Sequence, residues 1–314
     1  MSIAFGPVPS RRLGRSLGIN NIPPKSCSYS CLYCQVGTTH GKTVVPQPFY
    51  SPDAIREAVE SQLQRARDAN ETVDHLTFVP DGEPALDINL GQSIESLRPL
   101  GIPIAIISNA SLLWREEVRA AFRKADWVSV KIDSVDEGVW RHINRPHETL
   151  RLSQVLDGIS RFAGEFAGDL ATETMLVKGV NDGRQHIGRT ADFIRNLPAA
   201  KAYLAIPTRP PAEPGIEGPG EEQMNAAYQE FASRVPRVEY LIGYEGDAFA
   251  YTGDIVHDVL SITAVHPMRE SAVRALLEKA QAQWTTIDQL LAAGQLVETE
   301  YQGERFYIRH FPKQ

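Results

Sequence analysis

Cysteine is scarce in this sequence: three thiols in 314 residues, at positions 27, 31 and 34, and none elsewhere. An odd set of three confined to one short loop excludes a disulfide framework, and a chain of this length buries enough core to fold without staples. Long hydrophobic runs are missing as well. No stretch of 18 apolar residues occurs, so no transmembrane helix is expected. The opening MSIAFGPVPSRRLG has no apolar segment followed by a small-residue cleavage site, so no signal peptide is expected and a cytoplasmic location is. Positive charge is not in excess. The net charge of −7 argues against a general nucleic-acid binder, which gains its affinity by neutralising phosphates. Internal repeats and low-complexity tracts are absent, and 42% hydrophobic with 23% charged residues is ordinary for a soluble globular protein.

What is present alternates between strand and helix signals. Short apolar runs rich in β-branched residues occur at 16–22, 75–80, 102–110, 127–134, 171–180 and 201–207, as expected of a buried parallel sheet. Helical patterns fall between them. In SPDAIREAVESQLQRARDAN, Ser51 is placed to cap, Pro52 to occupy the first turn, and Ile55, Val59 and Leu63 share a face. Further helices are expected near 115–124, 149–166, 184–196 and 221–233. Six βα repeats predict an α/β fold, a partial (β/α)6 barrel short of the eight units of a closed one. After the Pro/Gly-rich loop 207–220 the pattern changes. DIVHDVLSIT, RESAVRALLEKAQ and TTIDQLLAAG read as three short helices, and LVETEYQGERFYIRHF as a hairpin turning at Gln302-Gly303. Three helices and a hairpin predict a small C-terminal winged-helix domain. The division expected is 1–252 and 253–314.

Three chemistries compete for the cysteine loop SCSYSCLYCQVG. A structural zinc site prefers four closed ligands, and the only nearby fourth, His40, lies beyond QVGTT. A nucleophilic thiol needs no two close thiol neighbours. An iron–sulfur cluster on three thiolates leaves one iron open for a substrate or cofactor atom.

The C-x3-C-x2-C spacing, with the aromatic Tyr33 before the last cysteine and the loop following the first parallel strand, resembles the signature of radical S-adenosylmethionine enzymes. The resemblance implies a [4Fe-4S] cluster on Cys27, Cys31 and Cys34. S-adenosylmethionine completes the open iron and is cleaved to a 5′-deoxyadenosyl radical. It also implies an electron donor such as flavodoxin or ferredoxin. Further matches fall at strand ends. In PDGEPAL, Gly82 and Glu83 resemble the Gly-Gly-Glu motif that holds the methionyl amino group, with Asp81 where the first glycine is usual. Ser108 and Asn109 of SNA match a ribose- or carboxylate-binding position. Lys131 and Asp133 of KID project together by strand periodicity. The segments GPVPSRRLGRSLGI, DGEPAL, LVKGVND and TRPPAE are similar to a group of Fe–S oxidoreductases related to the wybutosine-synthesis radical enzymes.

The substrate is narrowed by absences. No thiol remains for an auxiliary cluster or a methyl-accepting cysteine, and no cobalamin domain fits before the loop. Loop residues that are candidates to face a substrate are Arg12, beside Arg11 and Arg15, then Arg145 and His147 of NRPH, and Arg209 of TRPP; guanidinium suits carboxylate or phosphate. Glu173 is read as either a core polar group or a cofactor contact. The expected function is hydrogen abstraction from a small molecule, peptide or protein. The same chemistry on tRNA or another RNA, and a non-enzymatic Fe–S or zinc sensor, are the alternatives. DNA binding is not expected of the tail: residues 254–314 hold six Lys or Arg against eight Asp or Glu, and TTIDQLLAAG has no basic residue.

Overall fold

The computed structural model describes residues 2–199, 201–243 and 246–310. In chain order the elements are β1 (Ala4–Ser10), β2 (Gly14–Ile19), α1 (Pro52–Asp68), β3 (His75–Phe78), α2 (Leu90–Leu97), β4 (Ile104–Ser108), α3 (Glu116–Phe122), β5 (Trp127–Lys131), α4 (Glu137–Asn144), α5 (Leu152–Glu165), β6 (Asp169–Met175), α6 (Arg184–Arg195), β7 (Lys201–Ala205), α7 (Glu221–Ala232) and β8 (Val238–Leu241). They are followed by α8 (Ile255–Thr263), β9 (Met268–Arg269), α9 (Glu270–Lys279), α10 (Thr285–Ala292), β10 (Leu296–Tyr301) and β11 (Glu304–Arg309).

The first eight strands form one sheet in sequential order, parallel from β2 onward, with β1 antiparallel to β2 at the edge. A sequential parallel sheet with helices between its strands curls into an open barrel, and its functional residues collect at the carboxyl ends of the strands. The six expected strands are all present. Two more, β1 and β8, extend the sheet. β1 carries Pro7 and Pro9, which remove ladder donors and mask its strand character in the sequence; an edge strand tolerates them. Helices α2 and α4 were also not legible: each is eight residues with a glycine, Gly91 or Gly138, at its second position, and glycine is a poor helix former.

The local reasons for the elements hold where they are visible. Ser51 Oγ accepts the Ala54 amide at 3.1 Å, Pro52 opens α1, and Ile55, Val59, Leu63 and Ala66 bury one face against the sheet. Along the sheet Leu17, Leu76, Ile104, Val128 and Leu170 are buried and belong to one core. The chain after Thr252 builds a second core around Val259, Val273, Leu276, Ile287 and Tyr307. Its strands order β10-β11-β9, and the β10–β11 turn uses Gln302 (φ 52°) and Gly303 (φ 74°), the two left-handed residues of a tight hairpin. Phe311, the end of the hairpin as read from sequence, lies outside the described residues. This unit seats on the barrel: Val8 of β1 packs on its core, Lys279 Nζ lies 3.5 Å from Glu71 Oε1 after α1, and Tyr301 Oη donates to the Pro207 carbonyl at 3.2 Å.

Candidate active site

A cavity of about 260 Å³ opens at the carboxyl ends of the strands, and Cys27, Cys31 and Cys34 all line it. The loop that carries them is tied to the turn after β3 and to α4. The Glu83 amide donates to the Ser26 carbonyl at 2.9 Å, the Lys25 amide to the Asp81 carbonyl at 2.8 Å, and the Leu32 amide to the Ile143 carbonyl at 2.9 Å. Gly82 is required where the loop meets the turn after β3. Its φ is +152°, and a Cβ there would stand 2.1 Å from the Ser26 carbonyl oxygen. Asp81, in the place of a glycine, pairs instead with Lys25 at 3.2 Å, and burial pushes its carboxyl up to about 6.

The donor set fits a cluster. Cys27 Sγ accepts from the Tyr29 amide at 3.5 Å and from Asn109 Nδ2 at 3.6 Å, and Cys31 Sγ accepts from Asn144 Nδ2 at 3.5 Å. N–H donors aimed at sulfur favour the thiolate that a metal requires. Burial pushes all three thiols up, Cys31 to about 12, so a buried cation must displace the protons for the loop to be charged. Among the described residues no three His, Cys, Asp or Glu side chains converge on a point that suits a single ion. Three thiols facing one cavity can serve as ligands to an iron–sulfur cluster.

Two walls flank the loop. On one, Glu83 is fully buried and does not line the cavity. Its carboxylate accepts from Ser108 Oγ at 2.6 Å, the Asn109 amide at 2.8 Å and the Ala85 amide at 3.1 Å. Burial pushes its carboxyl up to about 7 against these donors. Glu83 thus stands back from the cavity, its oxygens engaged in fixing the ends of β3 and β4, while Gly82, Ser108 and Asn109 line the cavity. On the other wall Glu173 accepts from Lys131 on one carboxylate oxygen and from Arg12 on the other. Burial opposes its ionisation, but these two cations hold its carboxyl at about 2. Lys131 is pushed up, against burial, by Glu173 and Asp133, and lies 5.5 Å from the Tyr33 ring centroid.

Other expected residues scatter. Tyr33 lines the cavity and donates to Asp133, which stands behind it outside the cavity wall, accepting also from Asn144 Nδ2 at 2.6 Å and the Met175 amide at 2.9 Å. Asp133 is thus a support for Tyr33 and the β6 end. Arg209 reaches the cavity, as does Arg12, though Arg12 is engaged by Glu173. Arg145 and His147 do not line it: Arg145 pairs with Glu213 at 2.6 Å, and His147 Nδ1 lies 2.9 Å from Thr149 Oγ1. A loop after a strand does not specify which side chains turn inward. Sequence reasoning missed Asn144, at the end of an unread helix, and Gln35 and Val265, which no motif marks.

A family model described as the radical SAM superfamily matches residues 21–194. A UPF0026 protein of Methanocaldococcus jannaschii is 46% identical over 313 residues, covering 99% of this chain and 97% of that one. Among solved structures, a radical SAM methyltransferase from Sphaerobacter thermophilus superposes with a TM-score of 0.54 at 16% identity, over 72% of this chain and 66% of that one. A structure of TYW1 with a lysine-pyruvate adduct bound gives 0.50 at 14% identity, over 70% and 73%. At these identities the structural likenesses speak for the fold.

Proposed function

This chain belongs to the radical SAM superfamily, its cofactors are a [4Fe-4S] cluster and S-adenosylmethionine, and from that premise we propose that it abstracts hydrogen from a small molecule, peptide or protein bound in the strand-end cavity. When bound, the cluster and S-adenosylmethionine supply a 5′-deoxyadenosyl radical. The protein's own part is position and exclusion of water. Asn109 and Asn144 aim N–H groups at Cys27 and Cys31. The Gly82 turn brings backbone to the cysteine loop, and Tyr33 with Lys131 forms the floor between β5 and β6. We assign Tyr33, Gly82, Ser108, Asn109 and Lys131 to the cofactor, Glu83 and Asp133 to its support, and the division 1–252 and 253–314 to barrel and winged helix. An enzyme of this class needs a one-electron donor, for which a flavodoxin or ferredoxin is the proposed type. No helix of the described residues is long and apolar enough to cross a membrane.

The observation that carries the reading is that three cysteines and the polar ends of β3, β4, β5 and β6 line one cavity. RNA as substrate finds no support in the tail, where Asp288 is exposed on α10. The test is anaerobic reconstitution. The loaded chain should hold about four irons and, with dithionite and S-adenosylmethionine, release 5′-deoxyadenosine. Cys31→Ala should lose both. Stoichiometric zinc with no iron-dependent product would remove the reading.

A further inference from the structure

The C-terminal unit meets the cavity at a hydrogen-bonded junction around Val265. Val265, in the segment after α8, lines the cavity wall beside Arg209 and Gln35. Gln35 follows Cys34 directly. Its Nε2 donates to the Val265 carbonyl at 2.9 Å, and its Oε1 accepts from Arg209 Nη1 at 2.7 Å. Arg209 Nη2 in turn donates to His266 Nε2 at 2.9 Å. Arg209 and His266 are 9% and 8% exposed, so the geometry is set by packing and not by solvent. The His266 ring stands edge-on to Phe249 at 5.2 Å and its amide is tied to Ile262 at 2.8 Å, which fixes it on the second core. Burial, with the Arg209 charge beside it, pushes its pKa well below the ordinary imidazole value, which leaves Nε2 as an acceptor.

We propose that the C-terminal unit is a wall of the catalytic cavity, and that His266 is a positioning residue that holds Arg209 and, through Gln35, the chain directly after the last cluster cysteine. The proposal rests on the reading of the cavity as the site of the radical reaction. Three segments far apart in sequence, around 35, 209 and 265, meet there. Tyr301 reinforces the junction from the hairpin, donating to the carbonyls of Pro207 at 3.2 Å and Ile216 at 3.4 Å on the loop that carries Arg209. The small-domain tail is thus not an appended module: without it the cavity lacks a side, and Arg209 and Gln35 lose a common anchor.

The experiment compares His266→Ala with His266→Gln in the full-length, iron-free chain by hydrogen exchange and mass spectrometry. Peptides covering 34–39 and 212–218, the second holding the Glu213 amide that donates to the Leu32 carbonyl at 3.1 Å, should exchange about ten- to hundred-fold faster in the Ala variant, the size of losing a hydrogen bond from a charged donor, while the β3–β4 peptides stay unchanged. His266→Gln, which keeps an acceptor, should restore protection. Faster exchange confined to 250–280, or a Gln variant as loose as the Ala variant, would overturn the proposal. If His266→Ala does not fold, Gln35→Ala cuts the same junction from the barrel side and should loosen 212–218; unchanged protection there would also overturn it. In the reconstituted protein, His266→Ala should keep its iron but alter the electron paramagnetic resonance spectrum of the reduced cluster with S-adenosylmethionine. An unchanged spectrum counts against it. Absence of 5′-deoxyadenosine from the wild type would instead remove the functional reading, and the exchange result would stand by itself.

Discussion

Glu83 and Glu173 are the same side chain, both buried, the first behind the cavity lining and the second part of it, and their environments drive them apart. Glu83 is held by neutral donors, a hydroxyl and two amides, and burial pushes it up to about 7. Glu173 is held by two cations, and they outweigh burial to leave it at about 2. Neutral hydrogen bonds offset only part of the cost of desolvating a carboxylate; ion pairs offset all of it at this site. The wall nearest the Gly82 turn therefore carries a carboxyl able to take up a proton near neutrality, and the wall at β5–β6 a permanent charge lattice that holds Lys131 and Arg12 in place.

The comparison breaks most visibly at Glu173. Glu173→Gln leaves Lys131 and Arg12 facing each other without an anion, and should destabilise the iron-free chain by about 3 kcal/mol in denaturant titrations. That is the low end for a broken buried pair, because the Lys131 and Arg12 side chains keep 22% and 15% exposure. A loss below about 1 kcal/mol would show the triad to be a surface arrangement.

The pH dependence separates the two carboxyls more finely. An acid raised on folding binds its proton more tightly when folded. Glu83's contribution is therefore full below about pH 4.5 and is lost as pH rises to about 7. Glu173 is depressed, so its contribution is full above about pH 4.5 and is lost as pH falls towards 2. Unfolding midpoints of the iron-free chain measured from pH 3 to 8 should show a decline across 4.5 to 7 that Glu83→Gln flattens but does not abolish, since Asp81 and Asp87 are raised in the same sense, each to about 6. Glu173→Gln should flatten only the acid limb. Equal effects of the two variants on both limbs would erase the contrast.

The smallest expected effect comes from Ser108→Ala, which removes one of three donors to Glu83. About 1 kcal/mol of stability should be lost, and carbon-13 carboxyl shifts should show Glu83 titrating at a higher pH than in the wild type. A Glu83 titration that moves down would mean that the Ser108 hydroxyl is not its donor.

Much of the barrel was legible. Strands β2 to β7 showed as short apolar runs, and α1 showed its cap, its proline and its buried face. Strand β1 was hidden by the two prolines that its edge position permits, and α2 and α4 by a glycine at the second position of each. In the site, the cysteine loop and the polar residues at the ends of β3, β4 and β5 stood out as motifs. Their division of labour did not. Glu83 and Asp133 carry motif positions yet face inward to protein donors, and Arg145 turns to Glu213 instead of the cavity.

What the sequence by itself determined is the set of local rules: three thiols gathered within eight residues, glycine at 82 where a Cβ would strike the Ser26 carbonyl, and the alternation that lays strands side by side with their polar ends together. Local rules act over a few residues, so they are written in the order of the chain. The charge state of each carboxyl and the inward or outward turn of each loop arginine were decided only by tertiary structure. Those depend on burial and on partners such as Arg12 and Glu173, 161 residues apart, whose meeting no local pattern records.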